Sequence, residues 1–481
     1  MNTAPEHVIK PSPFALITGP AMLVLVLLFP APADMNPEAW LALGAALWMA
    51  IWWATEAVPI PATALLPLIL VPVLGIAEVG DLAGAYANGI IFLFLGGFLL
   101  GLAMQRWALH RRIALNILLA VGQRPNRQIA GFMIATSFLS MWVSNTATSI
   151  MMLPIAVSVI SFLPEAKSDE GRRFAVALLL AVAYSASIGG IATLIGTPPN
   201  AMLAAYLKES HDISIGFAQW MMIGLPVALG MLLFTWWWLC RKGFAGLETS
   251  GSRDLLRAEL QKLGPISAGE ARVLLIFIAT AAAWILRPLI NNYLPGVTDT
   301  VIAMTAGLLL FTVRSGGPDS KVLLDWQTAE KLPWGVLLLF GGGLALATMI
   351  KSSGLAEWLA QNFSLLSAWP IFAMVLVIVA VIIFLTEITS NTATTATFLP
   401  LLGALAVAQS VSPMLFVIPA AIAASCAFMM PVATPPNAVV FGSGELRIKD
   451  MMQAGLLLNV FGIVLISGVG YYLVLALFVA A

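Results

Sequence analysis

Eight residues of the first half of this chain return in the second at one constant spacing. Phe94, Gly96, Gly97, Leu109, Ser144, Asn145, Thr146 and Pro154 recur as Phe340, Gly342, Gly343, Leu355, Ser390, Asn391, Thr392 and Pro400, each 246 positions later, the distance from Phe94 to Phe340. A self-match at fixed spacing means two copies of one structural unit. At the centre of each copy lies a polar tripeptide in apolar surroundings, within WVSNTATSIMMLP and EITSNTATTATFLP. A second shared motif follows, Thr197-Pro198-Pro199-Asn200 and Thr434-Pro435-Pro436-Asn437. Here the spacing is 237, the distance from Thr197 to Thr434, and the polar stretch Pro164–Gly171 of the first copy supplies most of the difference.

The setting is a membrane. With 60% hydrophobic and 10% charged residues, and long apolar runs throughout, a soluble globular chain is excluded. Segments such as LLLNVFGIVLISGVGYYLVLALFVA are continuously apolar, which excludes the alternating pattern of a membrane β-barrel. The chain therefore reads as an all-α polytopic membrane protein. Its spans fall near 13–30, 38–55, 59–75, 89–105, 173–207, 219–240, 272–291, 299–313, 334–350, 412–440 and 452–480, about 11 transmembrane helices. Two further apolar segments, 127–163 and 370–408, carry the Ser-Asn-Thr knot near their midpoints. Arms of about 17 residues suit re-entrant hairpins whose tips stop inside the bilayer.

Basic residues orient the chain. With the N-terminus cytoplasmic, only Lys208, Arg287 and Lys351 of the 23 Lys and Arg fall outside. The C-terminus is then extracytoplasmic. Five crossings separate the hairpins, so one opens to each side and the repeats are inverted. The expected organisation is an N-terminal helix (1–37), a first inverted repeat (38–240, hairpin 127–163, broken helix 173–207), a cytoplasmic linker (241–271) and a second repeat (272–481, hairpin 370–408, broken helix 412–440). The first apolar run lacks a small-residue cleavage site and reads as a retained span. Cys240 and Cys426 form no disulfide or zinc pattern, and His7, His110 and His211 are scattered. No cofactor is expected.

Chemistry concentrates in four loops, the two hairpin tips and the two Pro-Pro interruptions. Irregular backbone at membrane depth persists only where it lines a cavity or is buried in protein. Breaking a helix frees N–H groups on one side and C=O groups on the other, which suit an anion and a cation respectively. Ser, Thr and Asn add neutral donors and acceptors. None of the four loops contains Lys, Arg or His. A small dianion there needs accompanying cations, since an uncompensated buried charge is costly. A single Ser-Asn-Thr would read as interhelical glue; two matched copies, each paired with a Pro-broken helix, read as half-sites. Gly96-Gly97 and Gly341-Gly342-Gly343 read as packing positions, Glu56 and Glu387 as hydrogen-bonded structural carboxylates, and Trp236-Trp237-Trp238 beside Arg241 as an interfacial anchor.

These residues, with the stretch GGFLLGLAMQRWALHRRIAL, closely resemble the divalent anion/sodium symporter (INDY-type) family of dicarboxylate and citrate carriers, from about Trp40 to the C-terminus. The resemblance implies a homodimer of elevator type, in which a scaffold domain holds a moving transport domain carrying both hairpins and both broken helices. It implies a first sodium site at Ser140, Ser144, Asn145 and Gly196, and a second at Thr386, Thr389, Asn391 and Ala433. It implies carboxylate binding by Asn145, Thr146, Thr197, Asn391, Thr392, Thr434 and Pro435. Gly196 stands where the second copy has Ala433, so the two ion sites need not be equivalent.

The expected function is sodium-coupled transport of a C4-dicarboxylate such as succinate, malate or fumarate across the cell (inner) membrane. The alternative within transport is a sodium-independent dicarboxylate or citrate exchanger. No nucleotide-binding G-x-x-x-x-G-K-[ST] appears, and no nucleic-acid partner is expected. An intramembrane hydrolase lacks a base in the loops, Glu387 aside, and a passive channel fits half-sites on hairpins poorly.

Overall fold

The computed structural model of the chain describes residues 13–479 apart from 33, 164–167, 245–246, 248–250, 317–320 and 364–367. Residues Pro164–Lys167 of the polar stretch, part of the linker, His7, and the Lys10 and Lys167 of the charge argument lie outside the described residues. The helices are α1 (Pro13–Leu28), α2 (Pro37–Thr55), α3 (Ile60–Thr63), α4 (Pro67–Val73), α5 (Val79–Tyr86), α6 (Gly89–Arg106), α7 (Leu109–Val121), α8 (Pro125–Ser140), α9 (Asn145–Ser161), α10 (Asp169–Ile191), α11 (Pro198–His211) and α12 (Phe217–Cys240). There follow α13 (Ser252–Lys262), α14 (Ala268–Ile290), α15 (Asp299–Thr312), α16 (Trp326–Ala329), α17 (Trp334–Ser352), α18 (Leu355–Phe363), α19 (Ile371–Thr386), α20 (Asn391–Ala408), α21 (Met414–Ala424), α22 (Pro435–Phe441) and α23 (Ile448–Leu465), which runs on through π-helical turns to Val479.

The fold is all-helical, and each span read from the sequence has a helical counterpart. The span at 59–75 differs in being split into α3 and α4. Pro67 has no N–H to continue the ladder, and the preceding turn tightens into shorter bonds, Leu65 N to Ala62 O (3.1 Å) and Leu66 N to Thr63 O (3.0 Å). By length and composition, 7 helices among the described residues suffice to cross a membrane, with further shorter apolar helices beside them. Both 127–163 and 370–408 fold as helix pairs interrupted at the tripeptide, α8/α9 and α19/α20.

The broken helices occupy the middle. All of α21 is buried, as is α10 from Ala177 to Ile191. Both are rich in Ala, and α10 adds Gly and Ser, so neighbouring backbones approach closely. Each packs against its own hairpin: α10 on α8 and α9, α21 on α19 and α20. The second segments cross over, α22 leaning on α9 and α10, and α11 on α20 and α21. This exchange places the two Pro-Pro breaks and the two hairpin tips in one region.

Around this centre, Gly96 and Gly342 do pack closely, against Ala303 on α15 and Ala64 beside α3. Two short amphipathic helices at equivalent places in the repeats, α7 and α18, follow α6 and α17. Arg112 on α7 grips Glu270 of α14 through two bonds (2.5 and 3.1 Å), and Arg111 pairs with Glu259 of α13. The Arg241 guanidinium lies 3.1 Å over the Trp238 ring, and Trp237 is exposed, as an interfacial anchor requires. Glu56, expected as a hydrogen-bonded structural carboxylate, is instead exposed at the left-handed end of α2 (φ 48), where water solvates its charge.

Candidate binding site

Each hairpin turns on the same contact. Ser140, the last residue of α8, points its hydroxyl at Asn145 Oδ1 (2.5 Å) and at the carbonyl of Ala186 in α10 (2.6 Å). Thr386, the last residue of α19, does likewise toward Asn391 Oδ1 (2.6 Å) and the carbonyl of Ala424 in α21 (3.0 Å). A hydroxyl has one proton and can satisfy one of two acceptors. Each cluster therefore holds more oxygen lone pairs than protons, a surplus that suits a hard cation. The residues present fit an alkali ion, and the Ser/Thr and Asn of the two clusters sit at equivalent places in the repeats, while the carbonyl of the second, Ala424, lies one position beyond the counterpart of Ala186.

The Pro-Pro interruptions complete the geometry. Thr197 and Thr434 stand before them in extended backbone (φ −148 and −140), and the prolines open α11 and α22, where the missing N–H costs nothing. The Thr434 hydroxyl accepts from Asn437 N (3.3 Å), whereas Thr197 makes no such cap. Ser144 caps α9 by accepting from Ala147 N (3.3 Å) and is exposed; Ser390 has no equivalent cap bond. Asn145, Thr146, Asn391 and Thr392 are half-buried, Thr197 and Thr434 buried, and Pro435 exposed. The structure thus gathers these residues around the breaks, the Asn and Thr of the hairpin tips partly covered and the threonines before the prolines buried.

In the first repeat the approach is closest at two glycines. A methyl group at Gly190 would sit 2.9 Å from both Asn145 Oδ1 and the Gly196 carbonyl, and one at Gly196 would strike the Gly190 carbonyl. Only a bare backbone fits there. The second repeat carries Ala427 and Ala433 at the matching places. Thr389 points its hydroxyl at Leu385 O (2.9 Å) and shares a hydrogen bond with Thr394 (2.7 Å), so that side chain already has protein partners.

The last residue of each Thr-Pro-Pro-Asn motif has a structural task. Asn200 donates through Nδ2 to the carbonyls of Gly190 (3.0 Å), Ile191 (3.3 Å) and Thr193 (2.8 Å). Asn437 donates to Ala427 (3.2 Å) and Met430 (3.0 Å), the counterparts of Gly190 and Thr193 at the spacing of 237. The final Asn of Thr-Pro-Pro-Asn is thus a staple that gathers the freed carbonyls of the broken helix; its duplication in the sequence was the available signal. Glu387, read as a hydrogen-bonded carboxylate, is buried under residues 428–430 and accepts bonds from their N–H groups.

The family described as the sodium:sulfate symporter transmembrane region matches residues 13–478. The sodium-dependent dicarboxylate transporter SdcS of Staphylococcus saprophyticus is 44% identical over 470 residues, covering 95% of this chain and 91% of that protein. Its namesake in Staphylococcus aureus strain bovine RF122 is 42% identical over 468 residues, covering 95% and 90%. Among solved structures, the YdaH transporter of Alcanivorax borkumensis aligns over 96% of this chain and 98% of that one with a TM-score of 0.60 at 15% identity, a likeness of fold.

Proposed function

The chain belongs to the sodium:sulfate symporter family, the divalent anion/sodium symporters, a family of membrane transporters rather than enzymes, and we propose that it is a sodium-coupled carrier of small dicarboxylates. The observation that carries this reading is the pair of matched oxygen clusters, Ser140–Asn145–Ala186 and Thr386–Asn391–Ala424, each with more acceptors than protons. The relatives at 44% and 42% identity bear the name sodium-dependent dicarboxylate transporter, which favours a carboxylate over sulfate. The best substrate is a C4-dicarboxylate such as succinate, malate or fumarate.

In this reading the first sodium is held by Ser140, Ser144, Asn145 and Gly196, and the second by Thr386, Thr389, Asn391 and Ala433. The carboxylates meet Asn145, Thr146 and Thr197 from one repeat, and Asn391, Thr392, Thr434 and Pro435 from the other. Two cations neutralise the dianion, so the bound ligands together add no net charge to the body that crosses the bilayer interior. The domain plan is that of the sequence: N-terminal helix 1–37, inverted repeats 38–240 and 272–481, and linker 241–271. The hairpins and broken helices move as one body against a scaffold in an elevator displacement, within a homodimer in the inner membrane, the N-terminus cytoplasmic.

Reconstituted protein should accumulate labelled succinate against its gradient when sodium is imposed outside, and should not do so in choline. Uptake that needs internal dicarboxylate and ignores sodium would make the protein an exchanger instead.

A further inference from the structure

At their hairpin tips the two repeats differ by one charge. Glu387 follows Thr386 at the tip of the second hairpin and is 4% exposed. Its Oε1 accepts from Phe428 N (2.7 Å), Met429 N (2.9 Å) and Asn459 Nδ2 on α23 (2.7 Å), and its Oε2 from Met429 N and Met430 N (both 3.0 Å). Every contact is an N–H donating to a carboxylate oxygen, and three consecutive backbone amides form the kind of concave nest that holds an anion. None of the ion pairs among the described residues includes Glu387.

The first repeat has Met141 in the same place, at the spacing of 246. There α10 stays helical to Ile191, the counterpart of Phe428, and Ala192 N still bonds Gly189 O (3.1 Å). In the second repeat α21 stops at Ala424, and the amides at 428–430 turn to the carboxylate instead. The nest and the early unwinding occur together, in one repeat only, where the second copy also has Pro431 in place of Leu194. The nest presses on the segment that supplies the second oxygen cluster: Ala424 gives its carbonyl to Thr386, Met430 O receives Ala433 N (3.2 Å) and Asn437 Nδ2, and Ala433 precedes Thr434.

Resting on the sodium-coupled reading above, we infer that Glu387 is a positioning residue that sets the order of loading: it splints residues 425–433 and supplies a fixed negative charge, so that the second cluster takes sodium before any dianion is bound. A cation in the first cluster has no such charge beside it, and its electrostatic compensation comes with the dianion. The first cluster therefore fills together with the substrate, which makes dicarboxylate binding conditional on sodium already held by the second repeat.

The test is thermal stabilisation of the purified full-length protein as sodium replaces choline at constant ionic strength, first without and then with saturating succinate. Sodium alone stabilises the wild type. Glu387→Gln raises the sodium midpoint without succinate by about tenfold, and Glu387→Asp, which keeps the charge, restores it to within about threefold. Asn459→Ala lowers the transition temperature in choline and leaves the sodium midpoint in place. A Glu387→Gln protein that is less stable in choline but has the wild-type midpoint overturns the inference and leaves only a structural splint. Should Glu387→Gln not fold, Thr386→Val and Ser140→Ala decide: Thr386→Val removes the sodium-only stabilisation, while Ser140→Ala retains it and loses the succinate-dependent gain. The reverse pattern overturns the inference. A wild type indifferent to sodium with or without succinate sinks the sodium coupling itself, a separate failure.

Discussion

Both repeats must end a helix inside the membrane, and they do so with different chemistry. In the first, α10 is helical to Ile191, the interruption is short, Gly190 and Gly196 let the backbone close on Asn145, and the tip residue Trp142 is packed among Phe217, Phe277 and Trp284. In the second, α21 ends at Ala424, alanines replace the glycines, and a carboxylate holds the freed amides. The tips differ most in burial: Trp142 and Ile195 are 8% and 6% exposed, whereas their counterparts Ile388 and Val432 are 73% and 79% exposed. The Ser/Thr–Asn contact and the Asn staple are alike in both copies, so the polar geometry is conserved between the repeats while its covering is not. A carrier that opens its site to one side at a time needs such inequality between two otherwise matched halves.

The comparison is most severely tested at its shared element. Asn145→Ala and Asn391→Ala each remove an amide oxygen from an oxygen cluster and, in the proposed binding mode, a donor to the dianion, and a lost bond to a charged group is worth about 1.5–3 kcal/mol before any unpaired partner is counted. Uptake of labelled succinate should fall by about a hundredfold or more in each, with expression and monodispersity retained. Uptake surviving in both would remove these loops from the mechanism; survival in one would show that the repeats contribute unequally to the substrate.

The unequal covering predicts an unequal cost in stability. Trp142→Ala empties a slot in which the ring lies 4.9 Å from Phe277 and 5.9 Å from Phe217, and large-to-Ala changes of this kind cost about 3–5 kcal/mol. Ile388→Ala, at an exposed site, should stay within about 0.5 kcal/mol. Comparable losses of thermal stability in the two variants would mean that the second tip is also packed in the resting protein.

Much of this was legible in the sequence because it is local or duplicated. Proline pairs mark the starts of α11 and α22 through their own covalent geometry, and Ser-Asn-Thr stands out because the neutral knot recurs in two apolar segments. What escaped is long-range. The partners of Glu387 lie 41 to 72 positions away, so the amide nest that stands where α21 has ended cannot be read from its own neighbourhood in the sequence. The split at 64–66 has a local cause that hydropathy does not register: Pro67 lies within a strongly apolar run but removes the amide the ladder needs.

The glycines give a smaller and directional effect. Gly196→Ala forces a methyl onto the Gly190 carbonyl, so the first cluster must widen; apparent sodium affinity for uptake should fall about tenfold, equivalent to about 1.4 kcal/mol. Ala433→Gly removes a half-buried methyl where the backbone already accommodates one, and should change it by less than about threefold. Equal responses would break the assignment of tight backbone approach to the first repeat alone.

The smallest test transplants a bond. In the second repeat the Thr394 hydroxyl meets that of Thr389 at 2.7 Å, and Thr389 lies 2.9 Å from Leu385 O. The first repeat has Thr148 and Leu139 at the matching places but Val143 between them, and the buried Thr148 hydroxyl has no hydrogen-bond partner among the described residues. The local backbone is the same in both copies: Val143 N bonds Leu139 O (2.9 Å) just as Thr389 N bonds Leu385 O (3.1 Å). Val143→Thr changes volume little, gives the stranded Thr148 hydroxyl an acceptor, and directs its own proton to Leu139 O, so no polar atom is newly stranded. A net gain of about 1 kcal/mol is expected, read as a modest rise in transition temperature, with Thr389→Val losing a similar amount. A fall in stability for Val143→Thr would show that the first tip, beneath its aromatic slot, is packed too tightly for an oxygen, and that the likeness of the two hairpins ends at their backbones.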